Sequence, residues 1–290
     1  MIDFASIPTR VLDNGFIHLE AFTTAGPRIT HLSAFGSPNL LAVLSPEAKE
    51  TTPYGDYHFM GGHRLWHSPE AMPRTYIPDN DGVLTEEMPN GLRLTQPAEP
   101  GSGIAKTIEV HLAEDRAAAT VTHILRNDGL WPVELAPWAL TMFRVNGTVI
   151  LPQSTVRKGL LPNRLLAIWP YSHINDPRLI LRDDYILINV LESKLPALKI
   201  GYNNPHGWMA YWLDGVLFRK TFDIYADATY PDGGCNTECY AHTLVELESL
   251  GPLQKIAPGG SVTLTETWEL FPSLDQPFLS PEIQKLIAAQ

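Results

Sequence analysis

Three short stretches of this 290-residue chain concentrate side chains that can do chemistry. The first is FMGGHRLWHSPE at residues 59–70, where Gly61-Gly62 lead into His63, Arg64, Trp66 and His67. Two glycines let a backbone turn sharply or pass close to another, and the residues after them hydrogen-bond and stack. The second, TLVELES at residues 243–249, alternates so that Val245 and Leu247 share one face and Glu246 and Glu248 the other. With the aliphatics packed inward, two carboxylates leave one sheet face together; a solvated outer face would give the same pattern. The third, NNPHGWMAYWLDG at residues 203–215, sets Trp208, Tyr211 and Trp212 beside His206. Such a cluster packs a core or forms a sugar platform. A pyranose stacks its apolar C–H face on indole, and its hydroxyl rim pairs with Glu, Asp, Arg, Asn and His.

Metal and nucleotide chemistry find little support. His58, His63 and His67 have the spacing H-x4-H-x3-H, which raises zinc, but only Asp56 and Glu70 stand nearby as further ligands and no closed structural site is spaced this way. PDNDG at residues 78–82 lacks the rest of a calcium loop and reads as a turn. There is no glycine-rich phosphate loop, no G-x-S-x-G elbow and no histidine-glutamate zinc helix. Cys235 and Cys239, not spaced as C-x-x-C and without a second pair, read as two reduced loop thiols. Neither a cofactor nor a metal is expected.

The elements that would position these residues are strands. FIHLEAF (16–22), TIEVHL (107–112), ATVTHIL (119–125), LILRDDYILINV (179–190), GVLFRKTFDIYA (215–226), TLVELES and SVTLTETWEL (261–270) carry the period-2 pattern. RITHLSA, VELAPWALTMF, RLLAIWPY, LPALKIGY and WMAYWL fit less cleanly, and turns such as Asn14-Gly15 and Asp214-Gly215 punctuate the run. One clear helix is expected at SPEIQKLIAAQ (280–290), with Ser280 as N-cap and Pro281 at the first position. SPEAKE (45–50) suggests one helical turn, and the proline-rich residues 69–100 suggest long surface loops. No internal repeat or linker divides the chain. The expected architecture is a single all-β domain over residues 1–290, two large antiparallel sheets packed as a sandwich.

A net charge of −11 without a basic stripe argues against nucleic acid, whose binding rests on phosphate neutralisation. No stretch reaches the roughly 18 apolar residues of a membrane helix, and MIDFASIPTRVLDNG is not a secretory signal. The expectation is a cytoplasmic protein whose partner is a small carbohydrate rather than nucleic acid or membrane.

GGHRLWHSPE, ILRNDGLWPVELAPWALTMF and LVELESLGPLQKIAPGGSVTLTETWELF resemble, in that order, the galactose mutarotase-like superfamily of aldose 1-epimerases, hexose-6-phosphate epimerases and sugar-binding relatives. The resemblance covers roughly residues 10–272. It implies a supersandwich fold. It also implies a mechanism in which a glutamate takes the anomeric hydroxyl proton while a histidine protonates the ring oxygen. The glutamate corresponds to Glu248 or, one register away, Glu246, and Arg64 corresponds to a hydroxyl clamp. The family's catalytic histidine falls on Trp138, whose indole has no basic nitrogen. The acid must then come from His63, His67, His206 or His242, with His67 the choice as catalytic acid and His63, Trp138, His206 and Trp208 as sugar contacts. Trp138 favours a binding protein without turnover. An active 1-epimerase is the alternative, and a lyase or glycoside hydrolase on the same scaffold is the third possibility. Strand alternation separates His63, Leu65 and His67 from Arg64 and Trp66, so a regular strand cannot bring all of them to one pocket.

Overall fold

The computed structural model of the protein describes residues 4–190 and 195–272. The helix expected at 280–290 lies outside them. Two ten-stranded antiparallel sheets and a two-stranded hairpin hold nearly all the regular structure. The helices among the described residues are single 3-10 turns, Phe4–Ser6 and Arg74–Tyr76.

The first sheet runs, edge to edge, through Thr9–Asp13, Ile17–Phe22, Arg28–Ala34, His63–Ser68, Val133–Phe143, Val245–Leu250, Thr237–Ala241, Leu198–Tyr202 and Ala167–Ile168. The second contains Tyr185–Val190, Gly147–Pro152, Trp208–Leu213, Val216–Phe222, Ser261–Pro272, Ala118–Asn127 and Ile104–Leu112 in its middle. Their facing sides close one apolar core, in which Leu65, Phe143, Leu247, Ile200 and Cys239 meet Val121, Phe218 and Trp268. This is the expected sandwich.

Several local expectations change. LILRDDYILINV is a hairpin, Leu179–Leu181 and Tyr185–Val190, because Arg182, Asp183 and Asp184 break the apolar pattern and take the turn. Residues 69–100 contain the strands Leu84–Met88 and Gly91–Gln96. SPEAKE is a β-turn, Ala48 N–H to Ser45 C=O, that leads into the strand Lys49–Thr52. Cys239 belongs to a sheet strand, and both cysteines are buried. Asp79 of PDNDG pairs with buried Arg28 at 3.1 Å.

Gly61 and Gly62 do need to be glycine. Both have positive φ, +90° and +74°, and an added Cβ would stand 2.1 Å from the Ala42 carbonyl oxygen or 2.2 Å from that of Ile29. They let the chain enter strand His63–Ser68 against two neighbouring backbones.

Candidate functional site

The strand His63–Ser68 is regular, so its side chains divide. Arg64 and Trp66 face outward from the sandwich, and His63, Leu65 and His67 face inward. The same alternation along the neighbouring strands puts Trp138, Leu140, Met142, Glu246, Glu248, Glu238, Tyr240 and Lys199 on the outward side. Register then forms rows across the sheet: Trp66 opposite Trp138, Arg64 opposite Leu140 and then Glu248 and Glu238, and Met142 opposite Glu246 and then Tyr240 and Lys199.

A cavity of about 360 Å³ opens over these rows. Its walls come from Leu44, from Ala48 and Phe59 at the two ends of the hairpin Lys49–Thr52/Gly55–His58, and from Tyr76 of the turn Arg74–Tyr76. Tyr57, Phe59 and Tyr76 of these segments pack against Trp66 and Trp138, and the Trp66 Nε1–H donates to Tyr57 Oη at 3.0 Å. Glu70, hydrogen-bonded by the Tyr76 hydroxyl, and Tyr171 complete the rim.

Two sets of charges occupy the floor. Lys199 Nζ lies 2.8 Å from Glu238 and 2.9 Å from Glu248, between the rings of Trp138 and Trp169 at 4.8 and 4.7 Å. The Trp138 Nε1–H donates to the same Glu248 oxygen at 2.8 Å, and the other Glu248 oxygen is buried without a partner. Burial alone would lower the Lys199 ammonium, but Glu248 and Glu238 outweigh it and hold it well above the ordinary lysine value. Burial pushes the Glu238 carboxyl well up against the pull of Lys199, with Glu248 adding to the rise. The charges of this set are paired with one another, each carboxylate within 2.9 Å of the ammonium, and Glu248 does not line the cavity.

The second set is open. Arg64 stacks on the Trp66 ring at 3.8 Å, reaches Glu246 only at 3.5 Å, and its Nε has no partner. Both residues line the cavity, their side chains 3% and 13% exposed. Burial, with Glu248 two residues on, pushes the Glu246 carboxyl up to about 7 against the pull of Arg64. A carboxyl poised there can give or take a proton at neutral pH.

The expected histidines are elsewhere, and that assignment is corrected. His67 donates from Nε2 to Glu99 at 3.2 Å and accepts at Nδ1 from Arg74 at 3.1 Å. His63 stands between the sheets, its Nε2 2.6 Å from His123 Nε2 and its Nδ1 2.9 Å from the Thr141 hydroxyl. His206 bonds the Gln153 carbonyl at 3.0 Å from a surface loop. Trp208 packs with Ile150, Leu187 and Leu217 on the second sheet. Among the described residues, no histidine lines the cavity. Glu246, Arg64 and Trp138 are brought together there, with Glu248 directly beneath. Lys199, Tyr76, Tyr171 and Tyr240 were not anticipated. Lys199 did leave a signal: a lone cation between Leu198 and Ile200 in an apolar strand must find buried carboxylates.

His58, bonded to the Pro46 carbonyl, does not converge with His63 and His67. The metal-type grouping among the described residues is His63, His123 and Glu266, with ligand atoms within 4.8 Å. Its hydrogen bonds are already complete. Lys220 and Ser249 donate to one Glu266 oxygen and Trp268 to the other, and His123 Nδ1 donates to the Leu264 carbonyl. A relay from Lys220 through Thr141 and His63 to His123 gives each proton an acceptor with both imidazoles neutral. The donor set fits a proton-sharing network better than an ion.

No protein-family model matches the sequence, and no curated protein does. Solved structures do. A candidate aldose 1-epimerase from Escherichia coli K12 aligns over 92% of this chain and 100% of its own, with TM-score 0.55 and 14% identity. The fold is galactose mutarotase-like. A candidate mutarotase from Salmonella typhimurium aligns over 93% and 92% with TM-score 0.58 and 11% identity. A galactose mutarotase-like protein from Lactobacillus casei aligns over 91% and 100% with TM-score 0.52 and 9% identity. At such identities the mutarotase-like fold is what is shared, and the chemistry must be argued from this chain's own cavity.

Proposed function

We propose that the protein binds a small carbohydrate, a neutral sugar or sugar derivative, in the cavity on its first sheet, without histidine-driven ring opening. The observation that carries this reading is the pair Arg64 and Glu246. Both are nearly buried and incompletely paired, and they face an aromatic-walled cavity within the roughly 300–1,000 Å³ range of small-ligand sites. A buried donor left open is costly unless a ligand completes it, and sugar hydroxyls are suited to both partners. Glu70, Glu246 and the buried Glu248 offset Arg64 and Lys199, so the lining carries no excess positive charge for a phosphate or a sugar acid. The names of structural neighbours among aldose 1-epimerases and mutarotases agree with a sugar ligand.

A second reading, slow anomer exchange without histidine, is favoured by the position of Glu246 and its carboxyl near 7. NMR with a panel of aldoses and sugar phosphates separates the two. Saturation-transfer signals from a neutral aldose, with α/β exchange no faster than buffer, support binding alone. Faster exchange that disappears in Glu246→Gln establishes turnover. Silence from every sugar removes both readings.

A further inference from the structure

Residues 154–175, the connection between the strands Gly147–Pro152 and Ala167–Ile168 and the turn that follows, contradict the rule that leucines are buried. Leu160 is 105% exposed, Leu165 77%, Leu161 73% and Val156 65%. Single exposed aliphatics are ordinary, but four within ten residues form a patch of the kind that marks an interaction surface. The patch is built rather than frayed. Leu161 N–H closes a turn onto the Lys158 carbonyl at 3.1 Å, Gly159 takes φ +63° at its tip, and the Asn163 side-chain amide donates to the Val156 carbonyl at 2.7 Å. The turn aims its leucines away from the body and satisfies part of its own backbone. That lowers the cost of leaving water.

The charge of this segment is opposite to that of the molecule. Residues 154–175 contain Arg157, Lys158 and Arg164 and no Asp or Glu, in a chain of net charge −11. Arg157 and Lys158 make no ion pair among the described residues, and Arg164 reaches only fully exposed Asp183 at 3.7 Å. Pairing this patch with itself across a twofold axis would set cations against cations. Leucines at a tip with basic residues behind them match a bilayer instead: the aliphatics enter the acyl boundary and the cations meet lipid phosphates. This loop lies on the surface, so it needs no spanning segment.

We propose that residues 156–165 dock the protein reversibly on an anionic lipid surface. The inference does not depend on the sugar reading and fails or stands separately from it.

Sedimentation with vesicles tests it, using the intact chain at low salt with phosphatidylcholine alone and with phosphatidylcholine containing about one-third phosphatidylserine. The protein is expected to sediment with the anionic vesicles and not the neutral ones, and to be released as salt rises. Arg157→Ala with Lys158→Ala should lower the partition about fivefold per cation. Leu160→Ser with Leu161→Ser should lower it tenfold or more, with an unchanged urea midpoint because neither leucine packs on the core. Equal binding to both vesicles, or unchanged binding by both variants, overturns the proposal. So does a concentration-dependent dimer that the leucine variant abolishes in the absence of lipid, which would assign the patch to a second copy.

Discussion

On strand His63–Ser68, His63 and His67 turn toward the second sheet while Arg64 and Trp66 turn toward the cavity, and the two sides treat polar groups oppositely. Inside, His63, His123, Thr141, Lys220, Glu266, Ser249 and Trp268 exchange hydrogen bonds until each donor and acceptor is used. Outside, Arg64 Nε has no partner and Glu246 has only a 3.5 Å contact. Burial is nearly the same on both sides, so burial alone does not separate a structural polar group from a functional one. What sets Arg64 and Glu246 apart is that both line the cavity while their mutual contact is only 3.5 Å and Arg64 Nε is unmet. The cavity floor is itself mixed, because Lys199, Glu248 and Trp138 form an internally paired cluster, with one Glu248 oxygen left over, next to the open pair.

Removing one member of a closed buried pair should have the largest effect. Lys220→Met leaves Glu266 without its cation and is expected to cost about 3–5 kcal/mol of stability, read from the urea midpoint. Lys199→Met should cost a similar amount although it faces the cavity, and Glu248→Gln in the same chain should recover part of it. If Lys199→Met is neutral, the floor cluster is not closed and the division into two sets fails.

Arg64→Met should behave in the opposite way. Stability should change by no more than about 1 kcal/mol, since Glu246 can take up a proton, while sugar affinity falls roughly 10–100-fold for the lost charged hydrogen bonds. Titration calorimetry beside a urea melt gives both numbers from one preparation.

The smallest effect is in pH. A carboxyl held up at about 7 is ionised above that pH, and an ionised Glu246 accepts stronger hydrogen bonds from hydroxyls. Sugar affinity is therefore expected to rise severalfold between pH 6 and pH 8, and Glu246→Gln should flatten that slope. The stability sign runs the other way. The folded-state value lies above the ordinary 4.5, so the contribution of Glu246 is fully present below pH 4.5 and lost as pH rises through 7. Glu246→Gln should gain stability over the parent protein at pH 8 relative to pH 6.

The sandwich was legible because alternation survives along most strands, and the separation of Arg64 from the histidines followed from the same period. Choosing the functional face of that strand was not possible from alternation alone. A histidine in a strand reads the same whether it meets Glu99 between sheets or a ligand, since those partners lie 32 residues away for His67 and 60 for His63. The two glutamates were found, but not their division of labour. Glu248 lies beneath Trp138 because the Trp138 side chain reaches across the strand pair, which spacing within Val245–Leu250 does not reveal. The Leu179–Val190 hairpin was missed because its turn carries acids rather than glycine.

The most direct test of the central claim compares sugar binding by Arg64→Met and His67→Gln, each with its urea midpoint measured in parallel. The account predicts that Arg64→Met stays folded and loses the sugar, while His67→Gln loses stability and binds with the parent affinity once folded. Unimpaired binding by Arg64→Met together with lost binding by folded His67→Gln would contradict it, and would move the site from the cavity to the interior face.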